Sequence, residues 1–132
     1  MKQTPDLGPI LTQTDVFETH NQELAAFFGF TPSVTITTGT GKAFTIPNPA
    51  LLDDDQQERW DDLQFLLERA DTDDQGEPLT PYRIDGELLK PSYNVRLATA
   101  LFGEAGYKEF KAVGGSGAQV ALTWARMVKE SE

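Results

Sequence analysis

Residues 37–42, "TTGTGK", end like a nucleotide-binding loop. A phosphate-binding loop is spelled G-x-x-x-x-G-K-[ST], because its glycines let backbone N–H groups wrap the phosphates and its final hydroxyl holds magnesium. Counting back from Gly41 and Lys42 puts Ile36 at the first glycine position, and Ala43 stands where the hydroxyl belongs. The stretch also leads into β-branched residues and Pro47, where a phosphate loop leads into a helix. A Gly-Thr-Gly hairpin turn with a solvated Lys42 is the expectation.

Three other groups of residues invite a chemical reading. In "DTDDQGEPLTPY", Asp71, Asp73, Gln75 and Gly76 fall at positions one, three, five and six of a calcium loop. The twelfth position, which needs a bidentate Glu, is Tyr82, and Pro78 and Pro81 oppose the loop's path. A solvated acidic loop is expected, with weak cation binding left open. "GGSGA" around Ser116 imitates a G-x-S-x-G nucleophile elbow, but Ala118 replaces the last glycine and the serine follows a helical pattern. With His20 as the only histidine, Ser116 reads as a helix cap. The carboxylates Asp53, Asp54, Asp55, Asp61 and Asp62 lie on a face that should be wet, whereas general acid catalysis needs one raised in pKa by burial. No catalytic residue, cofactor or metal is expected, and the chain reads as a non-enzyme.

Composition narrows the partners. The chain has 132 residues, 21 acidic against 11 basic, and a formal net charge of −10. Such a surface repels phosphate-coated partners, so neither nucleic acid nor an anionic membrane is expected to bind. The absence of cysteine removes disulfides, thiolate metal sites and a cysteine nucleophile. No apolar run approaches the roughly 20 residues of a membrane helix or forms a signal peptide, so a soluble, unexported protein is expected.

These residues need elements to hold them. Residues 1–11, with Pro5, Gly8 and Pro9, read as a flexible N-terminal arm on which Ile10 and Leu11 could dock. Thr19 or Asn21 caps a short helix placing Leu24, Phe27 and Phe28 on one face, stopped by Gly29. "SVTITT" and "KAFTI" alternate as two strands near residues 33–46, with Phe44 and Ile46 inward and Pro47 ending the second. Asp53 and Gln56 have capping-box spacing before a helix whose Trp60, Leu63, Leu66, Leu67 and Ala70 share a stripe. Phe65 lies off that stripe. Residues 71–81 read as a mobile acidic loop. A helix with Tyr93, Leu97, Ala100 and Leu101 then runs to Gly103. A shorter one presents Phe110 and Val113 and stops at Gly114 and Gly115. A last helix carries Val120, Trp124, Met127 and Val128. The expected fold is mainly α: residues 12–132 as one small domain of about four or five helices with one short β-hairpin. Its core comprises Phe44, Ile46, Trp60, Leu63, Leu67, Leu97, Leu101, Phe110, Val120 and Trp124.

Two blocks carry a family resemblance. "AFTIPNPALLDDDQQERWDDLQFLLE" and "DGELLKPSYNVRLATALFGEAGYKEFKAVGGSGAQVALTWARM" resemble the tail assembly chaperones of actinobacterial siphophages, mycobacteriophages included. In that family a Phe-x-Ile-Pro-x-Pro segment, here Phe44 to Pro49, leads into an acidic, Gln-rich helix. A later Phe-Gly-Glu-x-x-Tyr-x-x-Phe-x-x-x-Gly-Gly run, here Phe102 to Gly115, precedes the last helix. The likeness spans about two thirds of the chain, and its motifs are structural. The link from Asp71 to Pro81 is short for the family.

The resemblance implies a non-enzymatic morphogenetic factor of the host cell cytoplasm, absent from the mature virion. Such chaperones bind the long, apolar, helical tape measure protein and help tail tube subunits polymerise around it. Further implied partners are the tail tube protein and a frameshifted long form of the chain itself, and a homo-oligomer is open. High negative charge suits keeping an apolar client dispersed, and helical clients dock apolar faces into grooves. Phe65 and Leu122, both off the core stripes, are the candidate partner-binding residues. Two competing readings are a virion structural part, such as a head-tail connector or tail terminator, and an acidic DNA mimic that would lose its target as salt rises.

Overall fold

The computed structural model describes residues 22–130, and the expected arm at residues 1–11, with Thr19, His20 and Asn21, lies outside them. The chain divides into two compact units, Met1–Pro32 and Ser33–Glu132. The fold is mainly α, with four α-helices among the described residues.

In the first unit, residues 22–28 form helix α1. Gly29 ends it at φ +80°, and the amides of Gly29 and Phe30 both donate to the Ala25 carbonyl at 2.7 and 3.0 Å. This is the glycine stop expected from the sequence. The apolar face differs from expectation. Ala25 is buried, while Phe27 and Phe28 are exposed and pack edge to face on each other.

The second unit begins with strands β1 (Ser33–Thr37) and β2 (Ala43–Pro47), paired antiparallel. Val34 stands opposite Ile46 and Ile36 opposite Phe44, so one face of the hairpin is wholly apolar. On the other face the Thr35 and Thr45 hydroxyls hydrogen-bond at 3.1 Å. Pro47 closes β2. The buried Asn48 then accepts from the Ala50 amide at 2.9 Å and caps a 3₁₀ turn at Pro49–Leu51. An Asn before Pro is suited to that place, since the proline fills a position whose N–H has no helical partner.

Helix α2 (Asp54–Leu67) starts on the expected capping box: the Gln56 amide donates to Asp53 Oδ1 at 2.7 Å, and the Asp53 amide donates back to Gln56 Oε1 at 3.0 Å. Asp54 and Asp55 fill the first turn, where the helix dipole favours carboxylates. Helix α3 (Tyr93–Ala112) is broken at Gly103, whose φ of 79° and ψ of 166° lie where L side chains do not go. The two helical runs expected on either side of Gly103 are thus its two halves. Helix α4 (Gly117–Glu130) completes the unit. It packs so tightly that a Cβ on Gly117 would lie 2.8 Å from the Asn94 carbonyl carbon of α3. Among the described residues no helix is long and apolar enough to cross a membrane.

Phe44, Ile46, Leu63, Leu97, Leu101, Phe110, Val120 and Trp124 are buried together with Ala98 and Met127. Trp60 and Leu67 are half-buried and pack against that cluster. Phe44, Phe102 and Phe110 form a ring triad with centroids 4.9–5.8 Å apart, which brings the hairpin and both halves of α3 to one point. Such pairs add about 0.5–1.5 kcal/mol beyond area burial. Trp60 of α2 meets Trp124 of α4 at 5.0 Å. Val128, expected on the inner stripe of α4, instead turns outward. The buried stripe is Gly117, Val120, Trp124 and Met127.

Between α2 and α3 the chain is more ordered in outline than a bare loop. Strands β3 (Arg83–Ile84) and β4 (Glu87–Leu88) form a second small hairpin. Its turn is Asp85-Gly86, both at positive φ, as a tight two-residue hairpin requires.

Candidate functional site

The stretches that imitate ligand loops use their polar groups on the chain itself. In the β1–β2 turn the Gly41 amide donates to the Thr38 carbonyl and the Thr38 amide to the Lys42 carbonyl, both at 2.9 Å. Lys42 is not simply solvated: its Nζ is ion-paired with Glu109 of α3. The contact ties the turn to the helix, though both side chains remain half in water, where such pairs contribute little. Asp71 accepts from the Asp85 and Gly86 amides at 3.2 and 2.7 Å, so it organises the β3–β4 turn. Asp73 accepts from the Gln75 and Glu77 amides at 2.8 and 3.0 Å. Ser116 caps α4 as expected, accepting from the Gln119 amide while its own amide donates to Gln119 Oε1.

The break in α3 supplies a different feature. A helix that stops at Phe102 leaves its last carbonyls without helical donors. Two side chains of α2 reach them: Gln56 Nε2 donates to the Leu101 carbonyl at 2.9 Å, and Arg59 Nε donates to the Ala100 carbonyl at 2.8 Å. Gln56 therefore serves two helices, its oxygen capping α2 and its nitrogen capping the first half of α3.

Beside this seam lies a groove of about 430 Å³. Leu63, Leu66 and Ala100 form its floor. Half-buried Arg59 and Arg96 line it, with Asp62 and Glu104 on the exposed rim. Arg96 donates from Nε to the Pro91 carbonyl at 3.0 Å and from Nη2 to the Lys90 carbonyl at 2.8 Å. Leu66, counted with the core stripe in the sequence, is half-buried and opens onto this groove.

A smaller cleft of about 290 Å³ lies between Pro81, Tyr82, Leu88 and Tyr93. The two tyrosine rings are 5.5 Å apart. Burial, with Tyr82 adding to it, raises the Tyr93 phenol above its ordinary value.

The two candidate partner residues are both held in water, Phe65 at 71% and Leu122 at 74% exposure. They are not one patch. At about 100° per residue, Phe65 stands about 140° round α2 from Trp60, and Leu122 about 160° round α4 from Trp124. Since the two tryptophans meet, each candidate points away from that meeting place.

No family model, curated protein or solved structure matches the chain. Its surfaces therefore speak through their own chemistry. They offer exposed apolar side chains on helices and a groove between two helices. Arg59 and Arg96 carry no motif, because residues 37 positions apart become neighbours only when α2 packs on α3. The one available cue was an Arg on the apolar side of an otherwise acidic helix.

Proposed function

We propose that this chain is a siphophage tail assembly chaperone, a non-enzymatic factor that binds the tape measure protein in the host cell cytoplasm and is not retained in the virion. The observation that carries the reading is the exposure of Phe65 and Leu122 on regular helices. A large apolar side chain left in water is an available contact, and an apolar helical client supplies its match. The formal charge of −10 favours this role, since it disperses a complex whose client is apolar. The likeness of the Phe44–Pro49 and Phe102–Gly115 stretches to the chaperone family supports the tape measure protein as the client.

Co-expression of the tape measure protein with the tagged chain tests it. The wild type should retain the client in the soluble fraction and co-purify with it, and a folded Phe65→Ser/Leu122→Ser double variant should lose most of the capture. Equal capture by that variant removes both residues from the contact. Mass spectrometry of purified virions should find the chain absent or nearly so. Stoichiometric recovery there would replace the chaperone with a structural component.

A further inference from the structure

We infer that the α2–α3 groove is a docking site for an amphipathic helix that carries carboxylates at both ends of its apolar face. The source of that helix, a segment of the client, rests on the chaperone reading. The groove's chemistry does not.

The floor fixes the apolar part. Leu63, Leu66 and Ala100 line an opening of about 430 Å³ between two helices, the setting in which an apolar helix face inserts its side chains. The two arginines fix the charge. Contacts run in opposite senses along α2 and α3, from Gln56 to Leu101 and from Arg59 to Ala100. Arg59 therefore marks one end of the groove. Arg96, reaching back to Lys90 and Pro91, marks the other.

In a chain with 21 acidic residues, carboxylate partners are abundant, yet neither arginine has one among the described residues. Both are aimed instead by main-chain carbonyls. Among the described residues, neither Nη group of Arg59 and not the Nη1 of Arg96 has a hydrogen-bond partner. A half-buried guanidinium held along one edge by carbonyls, with N–H donors left over, is pre-organised for a carboxylate, which it binds through charge-assisted hydrogen bonds. Asp62 and Glu104 stand outside on the exposed rim. Their repulsion, and that of the −10 chain, is screened over about 8 Å at physiological salt, whereas the direct contact is not.

Two fluorescein-labelled helical peptides with one shared Leu/Ala face test the inference, one carrying Glu at both ends of that face and the other Lys. Anisotropy with the full chain at physiological salt should show the Glu peptide binding at least tenfold more tightly. Arg96→Glu leaves the Arg59 contact with α3 in place and should erase most of that preference. Arg59→Glu/Arg96→Glu, folded by circular dichroism, should reverse it in favour of the Lys peptide, a reversal that mere loss of structure cannot produce. Equal binding of the two peptides, preference for Lys by the wild type, or no binding of either overturns the inference. Capture of the tape measure protein by a chain that shows no peptide preference would leave the chaperone reading standing without this groove. Preference without capture would do the opposite.

Discussion

Turned inward, α2 offers Trp60, Leu63 and Leu67 to the core and Gln56 and Arg59 to the broken carbonyl row of α3. Turned outward, the same 14 residues offer Asp55, Glu58, Asp61, Asp62 and Phe65 to solvent. The inner face does two structural jobs at once, filling the core and finishing another helix. The outer face does neither. Stability is thereby carried by the inner face, while Phe65 on the outer face is proposed for client contact, so variants at Leu63 and at Phe65 should separate stability from capture.

The sharpest way to break the inner face is at Leu63, buried among Leu97, Leu101 and the aromatic residues of the core. Leu63→Ala removes apolar contact and leaves a cavity, so a loss of about 2–5 kcal/mol is expected in urea unfolding. A smaller loss should follow at the break the inner face supports. Gly103→Ala meets open space, since nothing lies within 4 Å of the added carbon, so its cost is backbone strain alone. That strain should amount to about 1–3 kcal/mol. Gln56→Ala comes next. It removes the return bond of the α2 cap and the donor to the Leu101 carbonyl together, and about 1–2 kcal/mol should be lost. In a double-mutant cycle, Gln56→Ala and Gly103→Ala should be non-additive, because both act on the end of one half-helix.

What was legible in the sequence follows the same division. The inner faces of the helices were legible because burial imposes a period: Leu63, Leu97, Leu101, Val120 and Trp124 recur at helical spacing, and the caps Asp53 and Ser116 mark where two of the runs start. Gly103 was legible as an interruption. The groove was not, because its cations come from α2 and from the start of α3, and the carbonyls that aim them belong to the main chain. The β3–β4 hairpin did have a local signal, Asp85-Gly86 between Ile84 and Leu88, that the polar run from Asp71 onward obscured. Asn48 was hidden for another reason. A polar residue is assigned to the surface by default, and only the 3₁₀ turn it caps accounts for its burial.

The outer face supplies the smallest stability effect and the clearest test of the division. Phe65 is 71% exposed and sits one helical turn from Asp61, Asp62, Glu68 and Arg69, so its replacement uncovers no cavity and strands no hydrogen bond. Phe65→Ser should therefore shift unfolding free energy by no more than about 0.5 kcal/mol, the usual range for a surface position away from such features. The same substitution should weaken client capture, because an apolar contact in water is worth most when a partner covers it. Read together, urea unfolding and pull-down place the residue: unchanged stability with reduced capture assigns Phe65 to partner binding. A loss above about 1 kcal/mol would mean that Phe65 supports the fold and that the two faces of α2 are not separable.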